Sequence, residues 1–314
     1  MNTLALVFPG QGSQSVGMLN VYADHPIVRA TLDEASDALG EDLSALVDDG
    51  PADALNLTTN TQPVMLAADI GVWRAWLAAG GRAPDVVAGH SLGEYAALVA
   101  AGAVAFDEAV RLVRFRAQAM QEAVPAGVGA MAAVIGGDDA GIVAACAEAA
   151  QGEVCEAVNF NAPGQVVIAG HRGAIERAMQ TVKAHGAKRA ILLPVSAPFH
   201  SSLLRPAAQR LAEHLPQIHF TTPMIPVLHN VDVAEHRTPD EICRALAEQA
   251  ANPVRWSDTI QAMAKRGVHT FIECGPGRVL TGLMRRIDES LEAMALSDGT
   301  DIDLALAAMK ANKP

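Results

Sequence analysis

Aromatic side chains are scarce in this chain of 314 residues: Trp, Tyr and Phe make up 4% of it. A core poor in rings is filled by smaller side chains, and abundant alanine suits helices packed closely on a sheet. Cysteine is limited to Cys146, Cys155, Cys243 and Cys274, which share no C-x-x-C spacing and have no histidine pair beside them. Neither a metal site nor a disulfide framework is expected, and the thiols read as small buried residues in a reducing, cytoplasmic setting. Positive charge is in deficit. With 23 Lys and Arg against 35 Asp and Glu, the formal net charge is −12, and no long basic run interrupts it. Nucleic acid is therefore not an expected partner. No apolar run approaches the length that spans a membrane, and Met1 to Pro9 lacks the positive n-region of a signal peptide. What remains is a chain half apolar and 18% charged, with ample material for a core.

The most informative stretch is Gly89-His90-Ser91-Leu92-Gly93. Val86-Val87-Ala88 before it reads as the end of a buried strand, and Glu94 to Ala101 after it as a helix. A serine on that turn is a nucleophile elbow: the backbone is strained, and the hydroxyl is lifted clear of the sheet. Flanking glycines let strand and helix approach, and the helix N-terminus lies under any charge developing on an attacked carbonyl.

Thr3 to Phe8 reads as a strand running into Pro9-Gly10-Gln11-Gly12-Ser13-Gln14. This loop is neither a P-loop nor a dinucleotide fingerprint: Gly17 is followed by Met18-Leu19 where a P-loop needs Lys-Ser/Thr, and the third glycine comes too late. It is a structural turn or a backbone donor near the elbow. Val64 to Leu77 has helical apolar spacing, with Trp73 and Trp76 in core positions. Ala109 to Glu122 is a helix carrying Arg111, Arg114 and Arg116, each a solvated charge or a ligand.

From Gly127 to Pro194 the pattern changes. Strand Ala130–Ile135, helix Asp139–Ala150, strands Val154–Asn159 and Val166–Ala169, helix Ile175–His185 and strand Lys188–Leu193 follow in order. That β-α-β-β-α-β sequence is ferredoxin-like. Residues 127–194 are expected to form a small domain inserted into a larger one built from 1–126 and 195–314. Beyond the insert, strands at Ile225–Leu228 and Thr270–Ile272 alternate with helices near Ser201–His214, Pro239–Gln249, Trp256–Arg266 and Val279–Ile287. Such alternation favours an α/β architecture with a largely parallel sheet.

A serine nucleophile needs a base. His90 is next to Ser91, but neighbours at a strand end face opposite ways, so it reads as a packed residue. His200 closes the proline-pinned loop Pro194-Val195-Ser196-Ala197-Pro198-Phe199-His200, a favourable setting for an active-site residue.

Taken together, Gly10-Gln11-Gly12-Ser13-Gln14, the elbow through Glu94-Tyr95, Asn161-Ala162-Pro163-Gly164-Gln165, the loop ending at His200, Asn252-Pro253-Val254-Arg255-Trp256 and Gly275-Pro276-Gly277 resemble one family across nearly the whole chain. It is the bacterial malonyl-CoA:acyl carrier protein transacylases, the loading enzymes of type II fatty acid synthesis. The resemblance implies an α/β-hydrolase-like core with a ferredoxin-like insert and a cytoplasmic monomer. It also implies malonyl-CoA and acyl carrier protein as partners, with no metal or redox cofactor.

By the same resemblance, Ser91 is the nucleophile and His200 its base, oriented by the backbone carbonyl of Gln249 rather than by an acid. The oxyanion donors are the N–H groups of Gln11 and Leu92. Arg116 binds the malonyl carboxylate, with Phe199 and Asn161 completing the substrate site. Ala117 departs from the glycine many relatives carry after that arginine. Lys183, Lys188, Arg189, Arg285 and Arg286 are candidates for docking the acidic carrier, or scattered solvated charges. The rival readings are an esterase or thioesterase sharing the elbow, and a non-catalytic scaffold.

Overall fold

The computed structural model describes residues 3–311. The outer ends of the expected 1–126 and 195–314 segments, and the first two residues of Met1–Pro9, lie outside them. The strands are β1 (Thr3–Phe8), β2 (Val86–Gly89), β3 (Gly129–Gly136), β4 (Cys155–Ala162), β5 (Gln165–His171), β6 (Ala187–Leu192), β7 (Val227–Leu228), β8 (Val268–Cys274) and β9 (Glu292–Leu296). They form two sheets, one of order β7-β2-β1-β8-β9 and one of order β4-β5-β3-β6.

The first sheet is parallel at every pairing. Its centre is β1, where Leu4 to Phe8 are fully buried. A continuous apolar run of this kind is what a parallel strand covered on both faces requires. Phe8 pairs with Gly89 at the C-terminal end of β2, so the loop after β1 and the elbow after β2 emerge side by side. Trp73 and Trp76, on the buried helix Thr58–Ala78, lie in the core as the spacing predicts.

The second sheet is antiparallel, with β5 between β4 and β3 and β6 on the far side of β3. Helices Asp139–Ala150 and Arg172–Thr181 cover one face through Ile142, Ala145, Ile175 and Ala178. Met131 and Val167 join the main core on the other face. Val254 ties this sheet to the rest of the protein, bonding backbone to backbone with Val158 and Phe160.

Several boundaries differ from the sequence reading. The helix expected over Ile175–His185 ends at Thr181, because Val182 to Gly186 forms turns and Gly186 takes a left-handed φ of 88°. The helix expected from Ser201 begins at Arg205, where Pro206 fits the unbonded first turn. Helices Pro26–Leu39 and Gly299–Ala311 and strand β9 have no counterpart in that reading. Cys146, Cys155 and Cys274 are buried, and Cys243 is half-buried. No described helix is long and apolar enough to cross a membrane.

Candidate active site

Ser91 follows β2 with φ +53°, in the left-handed region that L-residues avoid. The two glycines make this turn possible. A Cβ on Gly89 would stand 1.8 Å from the Gly93 carbonyl carbon, and one on Gly93 would stand 2.1 Å from the Phe8 carbonyl oxygen. Strand, elbow and helix therefore touch backbone to backbone. Asn230, just after β7, holds the turn: its Oδ1 accepts from the Ser91 N–H at 2.7 Å, and its Nδ2 donates to the Gly89 carbonyl at 2.7 Å.

His200 is also left-handed, with φ +63°, and only 3% exposed. Its Nε2 lies 2.7 Å from Ser91 Oγ, and its Nδ1 lies 2.9 Å from the Gln249 carbonyl oxygen. A carbonyl can only accept, so Nδ1 carries the proton and Nε2 is left to accept from the serine hydroxyl. That carbonyl is available because Gln249 ends the helix Pro239–Gln249, where the last carbonyls lack intrahelical partners. A Thr238–Glu241 capping box with Pro239 in the first turn sets the other end of this helix. Burial first, then the charge of Arg116, pushes the His200 imidazole from its ordinary 6.5 down to about 3.

Arg116 is 2% exposed, on the buried stripe of helix Phe106–Glu122. Its helix neighbours are engaged elsewhere: the exposed Arg111 pairs with Asp107 and the half-buried Arg114 with Glu41. The Arg116 guanidinium donates to Gln62 Oε1 at 2.7 Å, to Gln249 Oε1 at 2.7 Å and to Ser91 Oγ at 3.1 Å. The Tyr95 ring lies 5.3 Å from Arg116 Cζ.

These groups open into a cavity of about 200 Å³, whose walls include Gln11, Ser91, Leu92, Arg116, Asn161, Phe199 and His200. Gln249 reaches it through its contacts with His200 and Arg116. The N–H groups of Gln11 and Leu92 donate to no acceptor among the described residues. His90 lines the same cavity, but its Nε2 lies 2.8 Å from Asn161 Oδ1 and its ring packs against Trp256, whereas His200 holds the serine hydroxyl. A larger cleft of about 1040 Å³ lies on another side of His200, lined by Cys146, Phe160, Ala208 and Cys243, without Ser91.

Four functional side chains went unread in the sequence. The Gln249 side chain donates to the Ser91 carbonyl at 2.9 Å and to Glu94 at 2.9 Å. Glu94 is fully buried and also accepts from His229 Nδ1 at 2.7 Å and the Asn230 N–H at 2.9 Å. Gln62 holds Arg116, and Asn230 holds the elbow. The one sequence signal for any of them is the position of Glu94 in the first turn after the elbow, where an acid suits the helix dipole.

Such an arrangement supplies a nucleophile, a neutral base with a fixed tautomer, free N–H donors and a buried cation within one small cavity. The acyl transferase domain family matches residues 5–302. The malonyl CoA-acyl carrier protein transacylase of Escherichia coli strain K12 is 54% identical over 307 residues, covering 98% of this chain and 99% of that protein. The crystal structure of an acyl-carrier-protein S-malonyltransferase from Burkholderia pseudomallei superposes with a TM-score of 0.95 at 60% identity, covering 97% and 99% of the two chains. A type II PKS acyl-carrier protein in complex with its malonyl-transacylase contains a similar chain, with a TM-score of 0.96, 51% identity and coverage of 98% and 99%. The chain belongs to the acyl transferase domain family and, within it, to the malonyl CoA-acyl carrier protein transacylases.

Proposed function

We propose that this protein moves malonyl from malonyl-CoA to the phosphopantetheine thiol of acyl carrier protein through a malonyl ester on Ser91, loading fatty acid biosynthesis. The observation that carries this reading is the placement of the buried Arg116 guanidinium 3.1 Å from Ser91 Oγ. An acyl group on that oxygen has its own free carboxylate within reach of a planar, two-toothed cation.

His200 takes the hydroxyl proton at Nε2 as Ser91 Oγ attacks the thioester carbonyl. The N–H groups of Gln11 and Leu92 hold the oxyanion, and CoA leaves as its sulfur recovers the proton. The carrier thiol then attacks the ester with the same base, and Ser91 is regenerated. Orientation by the Gln249 carbonyl fixes the tautomer, the main task of an acid at that position. The route calls on no metal or redox cofactor. Phe199 and Asn161, in the cavity wall, shape the acyl site.

The strand order of the antiparallel sheet supports reading residues 127–194 as a ferredoxin-like insert in an α/β-hydrolase-like core. Arg286 donates to Gln165, a cavity-wall residue, at 3.0 Å, which favours a carrier approach past Arg285 and Arg286. A cytoplasmic monomer is the state we infer. The test is a chase: malonyl-loaded protein is mixed with holo acyl carrier protein, and both masses are followed. Malonyl appearing on the carrier thiol is the expected result. Free malonate released at the same rate with or without the carrier would make the protein a hydrolase.

A further inference from the structure

A chain of hydrogen bonds, buried in its first two links and half-buried in its last, leaves Arg116. Arg116 donates from one guanidinium nitrogen to Gln62 Oε1 at 2.7 Å, Gln62 Nε2 donates to Thr58 Oγ1 at 3.2 Å, and the Thr58 hydroxyl donates to Gln11 Oε1 at 2.8 Å. The direction is fixed throughout. A guanidinium only donates, so the Gln62 oxygen faces it and the Gln62 amide nitrogen faces Thr58. Thr58 has one proton, and with its oxygen already accepting, that proton goes to Gln11. Thr58 is fully buried and Gln62 is 2% exposed, so water does not stand in for the link between them, while Gln11 at the end of the chain is half-buried. Both sit in the first turns of helix Thr58–Ala78, and neither touches the cavity's reactive oxygen.

We propose that Gln62 and Thr58 are positioning residues that connect the carboxylate-binding guanidinium to the oxyanion loop at Gln11, so that malonyl recognition also sets the donor that stabilises the transition state. This rests on the roles given above to Arg116 and Gln11. One guanidinium nitrogen lies on Ser91 Oγ as well as on Gln249. A malonyl carboxylate replaces the serine contact and holds the guanidinium from the front, while Gln62 holds it from behind. An acetyl group offers no carboxylate and leaves the front unanchored. Selectivity then lies in the rate of acylation as well as in binding. Hydrogen bonds in series polarise one another, which gives such a chain more leverage than its single links.

The experiment is rapid-quench acylation by malonyl-CoA and by acetyl-CoA of wild type, Thr58→Val, Thr58→Ser, Gln62→Met, Arg116→Ala and the Arg116→Ala/Thr58→Val double variant. Thr58→Val is expected to lower the malonyl acylation rate about tenfold with KM unchanged, as coupled neighbours in one network do. Acetyl acylation should change by less than about twofold, Thr58→Ser should restore the malonyl rate, and Thr58→Val should add nothing in the Arg116→Ala background. Gln62→Met, which cuts the chain one link earlier, must repeat the Thr58→Val pattern. Equal losses for malonyl and acetyl, a loss that persists in the Arg116→Ala background, or no loss would overturn the relay. Wild-type protein that takes up no malonyl at all would instead remove the reading of Ser91 and Arg116 on which it rests.

Discussion

His200 Nδ1 lies 2.9 Å from the backbone carbonyl oxygen of Gln249, where hydrolytic triads of this geometry place a carboxylate. No substitution at Gln249 deletes that acceptor, because it belongs to the main chain. It fixes the tautomer without adding negative charge that would raise the basicity of the imidazole.

The pH dependence follows. His200 is held down to about 3, so it is already an unprotonated base throughout the neutral and mildly acidic range. Protonation disables it only as pH falls through that value, whereas an ordinary histidine would be disabled below 6.5. Malonyl acylation, measured as kcat/KM, should change by less than about twofold between about pH 5 and 7. An inflection near 6.5 would show that the free protein holds its base in an ordinary environment.

Arg116 governs which acyl group is accepted. Arg116→Ala removes the cation and leaves Gln62 Oε1 and Gln249 Oε1 without their donor. Malonyl loading should fall by about a hundredfold, in line with truncating one member of a buried charge pair. Acetyl loading should fall much less, so the ratio of the two rates narrows. Parallel time courses with the two thioesters read this directly.

Glu94 is the hub behind the elbow. Glu94→Ala strands three buried donors, on His229, Asn230 and Gln249, and should cost about 3 kcal/mol or more in urea unfolding. Glu94→Gln keeps an acceptor for Asn230 and Gln249, and His229 can move its proton to Nε2, which has no partner in this structure. Its loss should be the smaller of the two. Equal stability of both variants with wild type would remove Glu94 from this role.

How much of this was legible in the sequence depends on the kind of residue. The elbow was legible because its two glycines have no substitute, and the central strand because Leu4 to Phe8 is an unbroken apolar run. His200 stood out through the prolines that pin its loop. Gln62, Thr58, Asn230 and the Gln249 side chain did not. They are polar residues buried by tertiary contacts far apart in sequence, and in one dimension they look like ordinary surface positions. Arg111, Arg114 and Arg116 share a helix, and only packing separates the buried Arg116 from the exposed Arg111 and the half-buried Arg114. Strand β9 escaped because Glu292 to Leu296 is short and half exposed, with no clean alternation.

Gly89 tests the elbow as a backbone device. In Gly89→Ala the new methyl would meet the Gly93 carbonyl carbon at 1.8 Å, a backbone atom that cannot swing aside. The variant should lose about 3 kcal/mol or more of stability, at the upper end of overpacking costs. Acylation should fall with it, even though Ser91 and His200 are intact. Unfolding midpoints and burst amplitudes on the same samples check both.

Everything proposed for the reaction depends on Ser91 carrying the acyl group. Intact-protein mass spectrometry after brief exposure to malonyl-CoA tests it most directly, with wild type beside Ser91→Ala. A single malonyl adduct on wild type and none on Ser91→Ala is the expected result. An adduct of equal yield on Ser91→Ala would contradict it.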